Sequence, residues 1–246
     1  MGSSEIIGGA IGLVVLLAVV AVGVHGTLVR KPKEQASEQR RVESMSALVR
    51  RFGAVVHTPQ SGTRPSFGVL PDPRLNQVRL LSDSIDQPYE QAVEFPYRGH
   101  EVLALDYSYN RRTRVGGDRV KLVWLHNYLV QVRTPPTPWL RISARRPAGL
   151  TYPGRRPMPT GYPPFDEAFE VVTSDERFAR ASLTGPVLDL LVTDARYRDK
   201  FVEFQSGTVR SEFSGRLSAE PVLANADMLI DLVRRLPPQT WHHPPQ

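Results

Sequence analysis

An unbroken apolar stretch near the start of the chain most constrains what this protein can fold into. From Ile6 to Val24 there are nineteen consecutive residues without a charge, all apolar or glycine. At a rise of about 1.5 Å per residue, a helix of this length reaches about 30 Å, the thickness of the hydrocarbon core of a bilayer. A helix buried in a soluble domain would need polar residues over such a length. The stretch therefore predicts a transmembrane anchor, which we place at residues 1–29.

A cleaved secretory signal peptide is the main alternative for the same stretch. Ala21 and Gly23 supply small residues at the spacing that a signal peptidase favours. Signal peptides, however, begin with basic residues and have a shorter apolar run, whereas MGSSE contains Glu5 and no Lys or Arg. We therefore favour a retained anchor. Cleavage near Gly23 would instead release a secreted protein.

The charges that flank the stretch predict its orientation. Short flanks rich in Lys and Arg stay on the cytoplasmic side of a membrane. Only Glu5 and the α-amino group precede the stretch. The basic residues that follow it are Arg30, Lys31, Lys33, Arg40 and Arg41. The prediction is a single-pass protein of the cell membrane, with the N-terminus outside and the C-terminal domain in the cytoplasm; the same basic residues are candidate contacts for anionic lipid.

Two features next to the anchor bear on self-association. Gly8 and Gly12 form a GxxxG pattern, which would let two helices approach closely and form a homodimer, although glycine is common in membrane spans. A juxtamembrane helix is predicted within residues 30–53, from the 3-4-3 spacing of apolar residues and from Gly53 as its C-terminal cap. The apolar residues are Val42, Met45, Val49 and Phe52. Packing on the soluble domain and a short coiled coil both explain this spacing.

The rest of the chain predicts one α+β domain. Residues 54–94 are rich in Pro, Gly and Ser and are expected to form an irregular segment laid over the domain. Within residues 95–238, HEVLALDYSYN alternates apolar and polar residues, VKLVWLHNYLVQVR is apolar on both faces, and WLRISAR adds another strand. These runs predict an antiparallel β meander, with VKLVWLHNYLVQVR forming one central strand or two strands joined at His126 and Asn127.

The C-terminal part of the domain predicts helices and one further hairpin. Thr173 and Glu176 have the spacing of a capping box, and Pro186 suits the first turn of the next helix. FVEFQSGTVRSEFSGRLS is typical of a hairpin. A final helix is expected from about Glu220 to Leu236, followed by a flexible tail at residues 239–246. The fold class is thus α+β: an N-terminal transmembrane helix, then one domain with an antiparallel β meander and C-terminal helices.

A family resemblance accompanies these elements. YRGHEVLALDYSY, YLVQVRTPPTPWLRISAR, FDEAFEVVTSDERFARASLTGPVLDLL and SGRLSAEPVLANADMLIDLVRRLP follow one another in the chain. This order resembles a family of uncharacterised single-pass membrane proteins of high-GC Gram-positive bacteria, defined by a domain of unknown function over roughly residues 95–236. The resemblance implies a membrane-tethered α+β domain. It transfers no activity and no site residue.

The chain shows no motif for a known reaction. It contains no cysteine, no paired histidines at metal-binding spacing, no GxSxG and no phosphate-binding loop. A serine triad assembled in space from Ser108, His100 and Asp106 stays open as a minor alternative. Asp227 and Asp231, one helical turn apart, could serve acid–base chemistry, but Arg234 and Arg235 follow them and favour surface ion pairs. We therefore predict no catalytic, metal-binding or cofactor-binding residues and no cofactor.

The distribution of charge suggests candidate binding residues. Arg111, Arg112 and Arg114 cluster at the end of a predicted hairpin and are candidate anion or lipid contacts, with solvated loop charges as the alternative. No nucleic-acid-binding motif accompanies the basic charge, so no nucleic acid partner is expected.

Three functions are compatible with the sequence. The favoured prediction is a non-enzymatic module at the cytoplasmic face of the membrane that binds an unknown protein partner or acts as a scaffold. The alternative is a domain that binds anionic lipid or a small ligand at the membrane surface. A hydrolase without a recognisable motif ranks third.

Overall fold

The computed structural model of the chain describes a defined set of residues: 39, 41–71, 88–114, 120–145 and 156–242. The predicted anchor with Gly8 and Gly12 and the cleavage site near Gly23 lie outside the described residues, as do Arg30, Lys31, Lys33 and Arg40. Among the described residues, no helix is both long and apolar enough to cross a membrane. By Cα proximity the chain divides into two compact units, residues 1–46 and 47–246.

Helix α1 occupies residues 41–52 and ends as predicted. Gly53 adopts the left-handed conformation with φ +62°, and the amide of Ala54 donates to the carbonyl of Val49 at 3.1 Å. This bond satisfies a carbonyl that the end of the helix would leave without a partner. The apolar spacing was less accurate: Val42 is 52% exposed, whereas Leu48, which was not counted, is buried.

Eight strands of the described chain form one antiparallel sheet. Their bounds are β1 Val55–His57, β2 Gln91–Tyr97, β3 His100–Arg114, β4 Val120–Arg133, β5 Leu140–Ala144, β6 Phe169–Thr173, β7 Val202–Gln205 and β8 Thr208–Ser214. The spatial order is β1-β2-β3-β4-β8-β7-β5-β6, and every pair is antiparallel. The α+β class is therefore as predicted.

The sheet differs from the predicted meander in two respects. Strands β1 to β4 do follow one another, but the β7–β8 hairpin lies between β4 and β5. The run TPPTP after Arg133 cannot continue a ladder because proline lacks the amide donor, and the chain leaves the sheet there. In addition, β1 and the start of β2 at Gln91 lie inside the segment predicted to be irregular. Strand β4 is continuous through His126 and Asn127, as the first of the two predicted alternatives expected.

The helices after α1 are α2 Pro163–Ala168, α3 Glu176–Ser182, α4 Gly185–Thr193 and α5 Ala219–Arg235. Helix α5 packs on β3, β4 and β8, α2 packs on β6, and α4 packs on α2 and α5. Val222, Ala226 and Leu229 of α5 are completely buried. The phenol of Tyr197 donates to the carbonyl of Met228 at 2.6 Å and fixes the 3₁₀ turn after α4 to α5.

The predicted N-cap of α3 and the predicted C-terminal tail both differ from the structure. The N-cap of α3 is Asp175, whose carboxylate accepts from the amides of Arg177 at 2.8 Å and Phe178 at 3.1 Å. Thr173 cannot fill that role because it is the last residue of β6, and its hydroxyl donates to the carbonyl of Trp139 at 2.9 Å. The predicted tail is ordered at its start: residues Pro238–His242 form a 3₁₀ helix in which Thr240 is buried.

Candidate interaction site on the open face of the sheet

The two faces of the sheet carry different side chains. The face that meets the helices is apolar and includes Ile142, Phe204 and Val209, each 2% exposed or less. On the opposite face, residues 58–71, which we call the strap, cover the apolar surface formed by β2, β3 and β4. Phe67 and Leu70 of the strap pack there. The part of this face that belongs to β5, β7 and β8 carries charged side chains.

Three charged residues stand side by side on that part of the face. The strand register pairs Arg141 with Glu203, and Glu203 with Arg210. One carboxylate oxygen of Glu203 accepts from Arg141 Nη1 at 3.2 Å, and the other accepts from Arg210 Nε at 2.9 Å and from its Nη2. Arg210 Nη2 also donates to Gln205 Oε1 at 3.0 Å. The Arg141 guanidinium lies over the Phe201 ring, 4.0 Å from its centroid. We call these five residues the polar sheet face.

The polar sheet face holds its arginines in fixed positions. The Glu203 side chain is only 4% exposed, whereas the side chains of Arg141 and Arg210 are 24% and 16% exposed. Placing a carboxylate in this setting has a desolvation cost, and a buried ion pair is weak evidence for a gain in stability. What the arrangement provides is two guanidinium groups whose rotamers are already ordered. Such groups can bind carboxylates with little further loss of side-chain entropy.

A second polar cluster continues the same face across β3, β4 and β8. Asn127 Nδ2 donates to Glu212 Oε1 at 2.5 Å. Burial raises the pKa of Tyr107, and the negative charge of Glu212 together with its hydrogen bond to the phenol raises it further. Tyr107 therefore stays protonated and acts as a donor to Glu212. This cluster contains no base positioned beside a nucleophile.

The structure does not assemble the triad considered from the sequence. His100, Asp106 and Ser108 all lie on β3, and eight residues of strand separate His100 from Ser108, a distance of about 27 Å. Ser108 is instead paired in register with His126. His126 Nδ1 lies 3.9 Å from Glu90 Oε1, and its Nε2 lies 3.3 Å from Arg216 Nη2. Both partners of the His126–Glu90 contact are substantially exposed, as expected for a surface ion pair.

A serine, a histidine and a carboxylate do meet elsewhere, at the strap. Ser66 donates to Glu94 through its hydroxyl at 2.8 Å and through its amide, while His57 Nε2 lies 3.4 Å from the same carboxylate. The carboxylate thus lies between the serine and the histidine. A hydrolytic triad needs the histidine between the other two, so that it can take the serine proton. Here the three residues attach the strap to β1 and β2.

A cleft and the arrangement of possible metal ligands also bear on function. A cleft of about 400 Å³ lies beside the strap and is lined mainly by apolar side chains, including Leu70 and Tyr89, with Arg64 in its wall. Within the described part of the chain, no three His, Asp or Glu residues lie close enough together to hold a metal ion.

The predicted acid pair on the last helix is a structural contact. Asp227 and Asp231 both lie on α5, and Arg98 of the β2–β3 turn contacts both carboxylates. Arg196 also binds Asp231 at 3.0 Å. The expected partner Arg234 donates instead to the carbonyl of Arg98. The ion-pair interpretation was therefore right, but the cations come from other elements.

The predicted binding arginines fall into two groups. Arg111, Arg112 and Arg114 lie on β3, paired in register with Val123, Leu122 and Val120 of β4. Arg41 belongs to α1, where its carbonyl accepts from the hydroxyl of Ser44 at 2.8 Å. Of the eight predicted contacts, four lie on described residues, and three of these belong to β3.

The polar sheet face was not predicted from the sequence. The available signal was a charged residue that directly follows an apolar one in three separate strands, LRI, VEF and VRS. That pattern indicates one polar face in each strand. It does not show that the three strands are neighbours, because β5 and β8 are separated by more than sixty residues.

Comparison with known proteins adds a distant structural resemblance. No family model matches the chain, and no curated protein matches its sequence. Among solved structures the chain is similar to the crystal structure of the mycobacterial trehalose monomycolate transport factor A, TtfA. The sequence identity is 12% and the TM-score 0.44, over 85% of this chain and 97% of that chain. Function is therefore inferred from the residues of this chain itself.

Proposed function

We propose that this chain is a non-enzymatic module, anchored in the membrane by residues 6–24, that holds a protein partner at the cytoplasmic side through its polar sheet face. The observation that carries the proposal is the network of Arg141, Glu203 and Arg210 on the sheet face opposite the apolar one. The anchor and its orientation come from the apolar stretch and the basic flank that follows it.

A protein partner suits the chemistry of this surface. Arginine and aromatic residues are enriched at the centres of protein interfaces and account for much of their binding energy. Here Arg141 is stacked on Phe201, and Arg210 is fixed by Glu203 and Gln205. The surface carries both signs of charge. A partner that presents carboxylates to the two arginines would gain directional hydrogen bonds there.

The test uses the full chain in the membranes of its own host. We expect a defined protein to co-purify with it after detergent extraction. The triple variant Arg141→Gln, Glu203→Gln, Arg210→Gln should lower recovery of that protein roughly 30-fold, which corresponds to about 2 kcal/mol for the loss of an arginine-centred contact. Replacing Glu203 as well avoids leaving a buried charge without its partners.

A matched control separates this surface from the helical side of the domain. Arg177 and Arg180 are exposed on α3, so Arg177→Gln, Arg180→Gln removes two positive charges there. This variant should recover the partner at the wild-type level. A photo-crosslinker at Gln205 should label the same partner, whereas one at Arg177 should not. Equal recovery with both variants would show that the polar sheet face does not hold the partner.

A further inference from the structure

Strands β3 and β4 extend well beyond the rest of the sheet. The pairing of β2 with β3 ends at Gln91 and Asp106, and the pairing of β4 with β8 ends at Asn127 and Ser214. Beyond these points residues 108–114 and 120–126 pair with each other and with no third strand among those described. We call these residues the arm. Seven strand residues span about 23 Å. Tyr109 near the base of the arm still packs against the core, and the residues beyond it extend past the third strand.

The arm presents a large aromatic side chain to solvent. Trp124 is 51% exposed, and among the exposed large apolar side chains that the structure describes it is the only aromatic one. Trp124 is paired in register with Asn110 of β3. An exposed tryptophan at this position has no role in the core of the domain.

The charge on the arm has one sign. Its residues include Arg111, Arg112, Arg114 and Lys121 and no Asp or Glu, so the arm carries four positive charges at neutral pH. A second copy of the same arm would be repelled. The surface complementary to an arm that combines this charge with an exposed tryptophan is anionic and has an apolar layer beneath it.

We propose that the arm rests on the anionic lipid headgroups of the membrane to which the chain is anchored, with Trp124 at the interface. Tryptophan favours the headgroup region of a bilayer, and basic residues are attracted to anionic lipid. The inference rests on the anchor of the proposed function, because tethering makes the arm–lipid contact intramolecular. An acidic protein surface would satisfy the charge but offers no general layer into which the tryptophan ring can insert.

The test places a single fluorescent label on the full chain in nanodiscs. The chain contains no cysteine, so Lys121→Cys creates a unique labelling site on the arm, and Arg177→Cys on α3 provides the matched control. The nanodiscs contain phosphatidylcholine alone or with a minor fraction of phosphatidylglycerol, and both carry nitroxide-labelled lipid as quencher. We expect quenching of the arm label only when phosphatidylglycerol is present, and no quenching of the control label.

Two variants give the expected size of the effect. Arg111→Gln, Arg112→Gln, Arg114→Gln should lower the ratio of lipid-contacting to free arm roughly 100-fold. Each charge lost should lower this ratio by about a factor of five. Trp124→Ala, which removes an exposed side chain and leaves the fold intact, should also reduce quenching. About 1 M salt should abolish it, because exposed charges are then screened within about 3 Å.

Four results would overturn the inference. Equal quenching of the arm and control labels in anionic nanodiscs would show that lipid contact is not specific to the arm. If Arg111→Gln, Arg112→Gln, Arg114→Gln lost the protein partner in host membranes, and the arm label showed no lipid quenching, the arm would be assigned to an acidic protein instead. Release of the chain from host membranes by alkaline carbonate would refute the anchor, and the arm inference with it, whereas retention without quenching would refute the arm inference alone.

Discussion

The guanidinium of Arg98 lies 2.5 Å from a carboxylate oxygen of Asp227, 129 residues further along the chain. The same nitrogen is 3.0 Å from Asp231, so one arginine in the β2–β3 turn bridges two acids on successive turns of α5. Hydrogen bonding to Asp227 raises the pKa of Arg98. Arg98 also has φ +50°, in the left-handed region that favours glycine. The ion pairs thus hold a turn residue whose backbone conformation is unfavourable for arginine.

This relationship predicts a difference between two substitutions at Arg98. Arg98→Ala loses the ion pairs and keeps the unfavourable φ, so the free energy of unfolding should fall by about 1 kcal/mol, the upper part of the range for partly exposed pairs. Arg98→Gly loses the same pairs but removes the backbone strain. It should therefore be more stable than Arg98→Ala by roughly 0.5–1 kcal/mol. Urea unfolding of both variants measures the difference. If Arg98→Gly were the less stable of the two, the assignment of strain at this turn would be wrong.

The buried carboxylate of the polar sheet face predicts strong coupling between residues. Glu203→Gln leaves Arg141 and Arg210 facing a neutral group and should lower the free energy of unfolding by about 3 kcal/mol. The triple glutamine variant should lose less than the sum of its single substitutions, because it leaves no buried charge without a partner. A double-mutant cycle on Glu203 and Arg210 should give a coupling energy of about 1–3 kcal/mol. Additive effects would mean that the two side chains do not interact in solution.

The strap is attached to the sheet by a buried amide. Gln131 is completely buried; its Oε1 accepts from the amide of Val69 at 2.8 Å, and its Nε2 donates to the carbonyl of Val69 at 3.0 Å. Gln131→Ala leaves both backbone groups without these bonds and should destabilise the protein by about 2–3 kcal/mol. Gln131→Glu can accept but cannot donate, so it should also be destabilising at neutral pH. Limited proteolysis should cut residues 58–71 faster in both variants than in the wild type.

A glycine in the strap provides an independent test of the same contact. Gly68 has φ +96°, and a Cβ added there would lie 2.5 Å from Leu103 Cδ2. Gly68→Ala should therefore destabilise the strap both by backbone strain and by overlap, by about 2 kcal/mol or more. Gly62 has a similar φ of +67°, but no atom lies within 4 Å of an added Cβ. Gly62→Ala should therefore lower the free energy of unfolding only through backbone strain. Equal losses at the two sites would contradict the close packing of Gly68 on Leu103.

The lowered pKa of Asp194 predicts how the stability of the protein depends on pH. A hydrogen bond from the Arg196 side chain lowers the pKa of Asp194 below its ordinary value of 3.8, with the Arg196 amide acting in the same direction. The unfolded chain therefore binds the proton at a higher pH than the folded one, so this contribution is complete above about pH 4 to 5 and is lost as pH falls through the lowered pKa. Asp194→Asn should be less stable than the wild type at pH 7, by about 1 kcal/mol. The difference should shrink below pH 4 in urea titrations; a constant difference would refute the linkage.

Features that depend on neighbours in the sequence were largely predictable. The glycine that ends α1, the proline in the first turn of α4, the β7–β8 hairpin and the last helix were all expected near their observed positions. Each depends on bonds between residues a few positions apart, so the residue types alone carry the information. The N-cap of α3 was the exception, because Thr173 is engaged by Trp139 from another strand and Asp175 takes over the cap.

The sequence by itself determined the α+β class, most of the local ends and turns, and the prediction of a membrane anchor with a basic flank. Only the tertiary structure decided which strands are neighbours, and with that the meeting of Arg141, Glu203 and Arg210 and the projection of the arm with Trp124. The physical reason is that strand pairing joins residues far apart in the chain, through backbone groups that are the same in every residue. Local patterns specify which face of a strand is polar, but the partner strand is chosen by packing over the whole sheet.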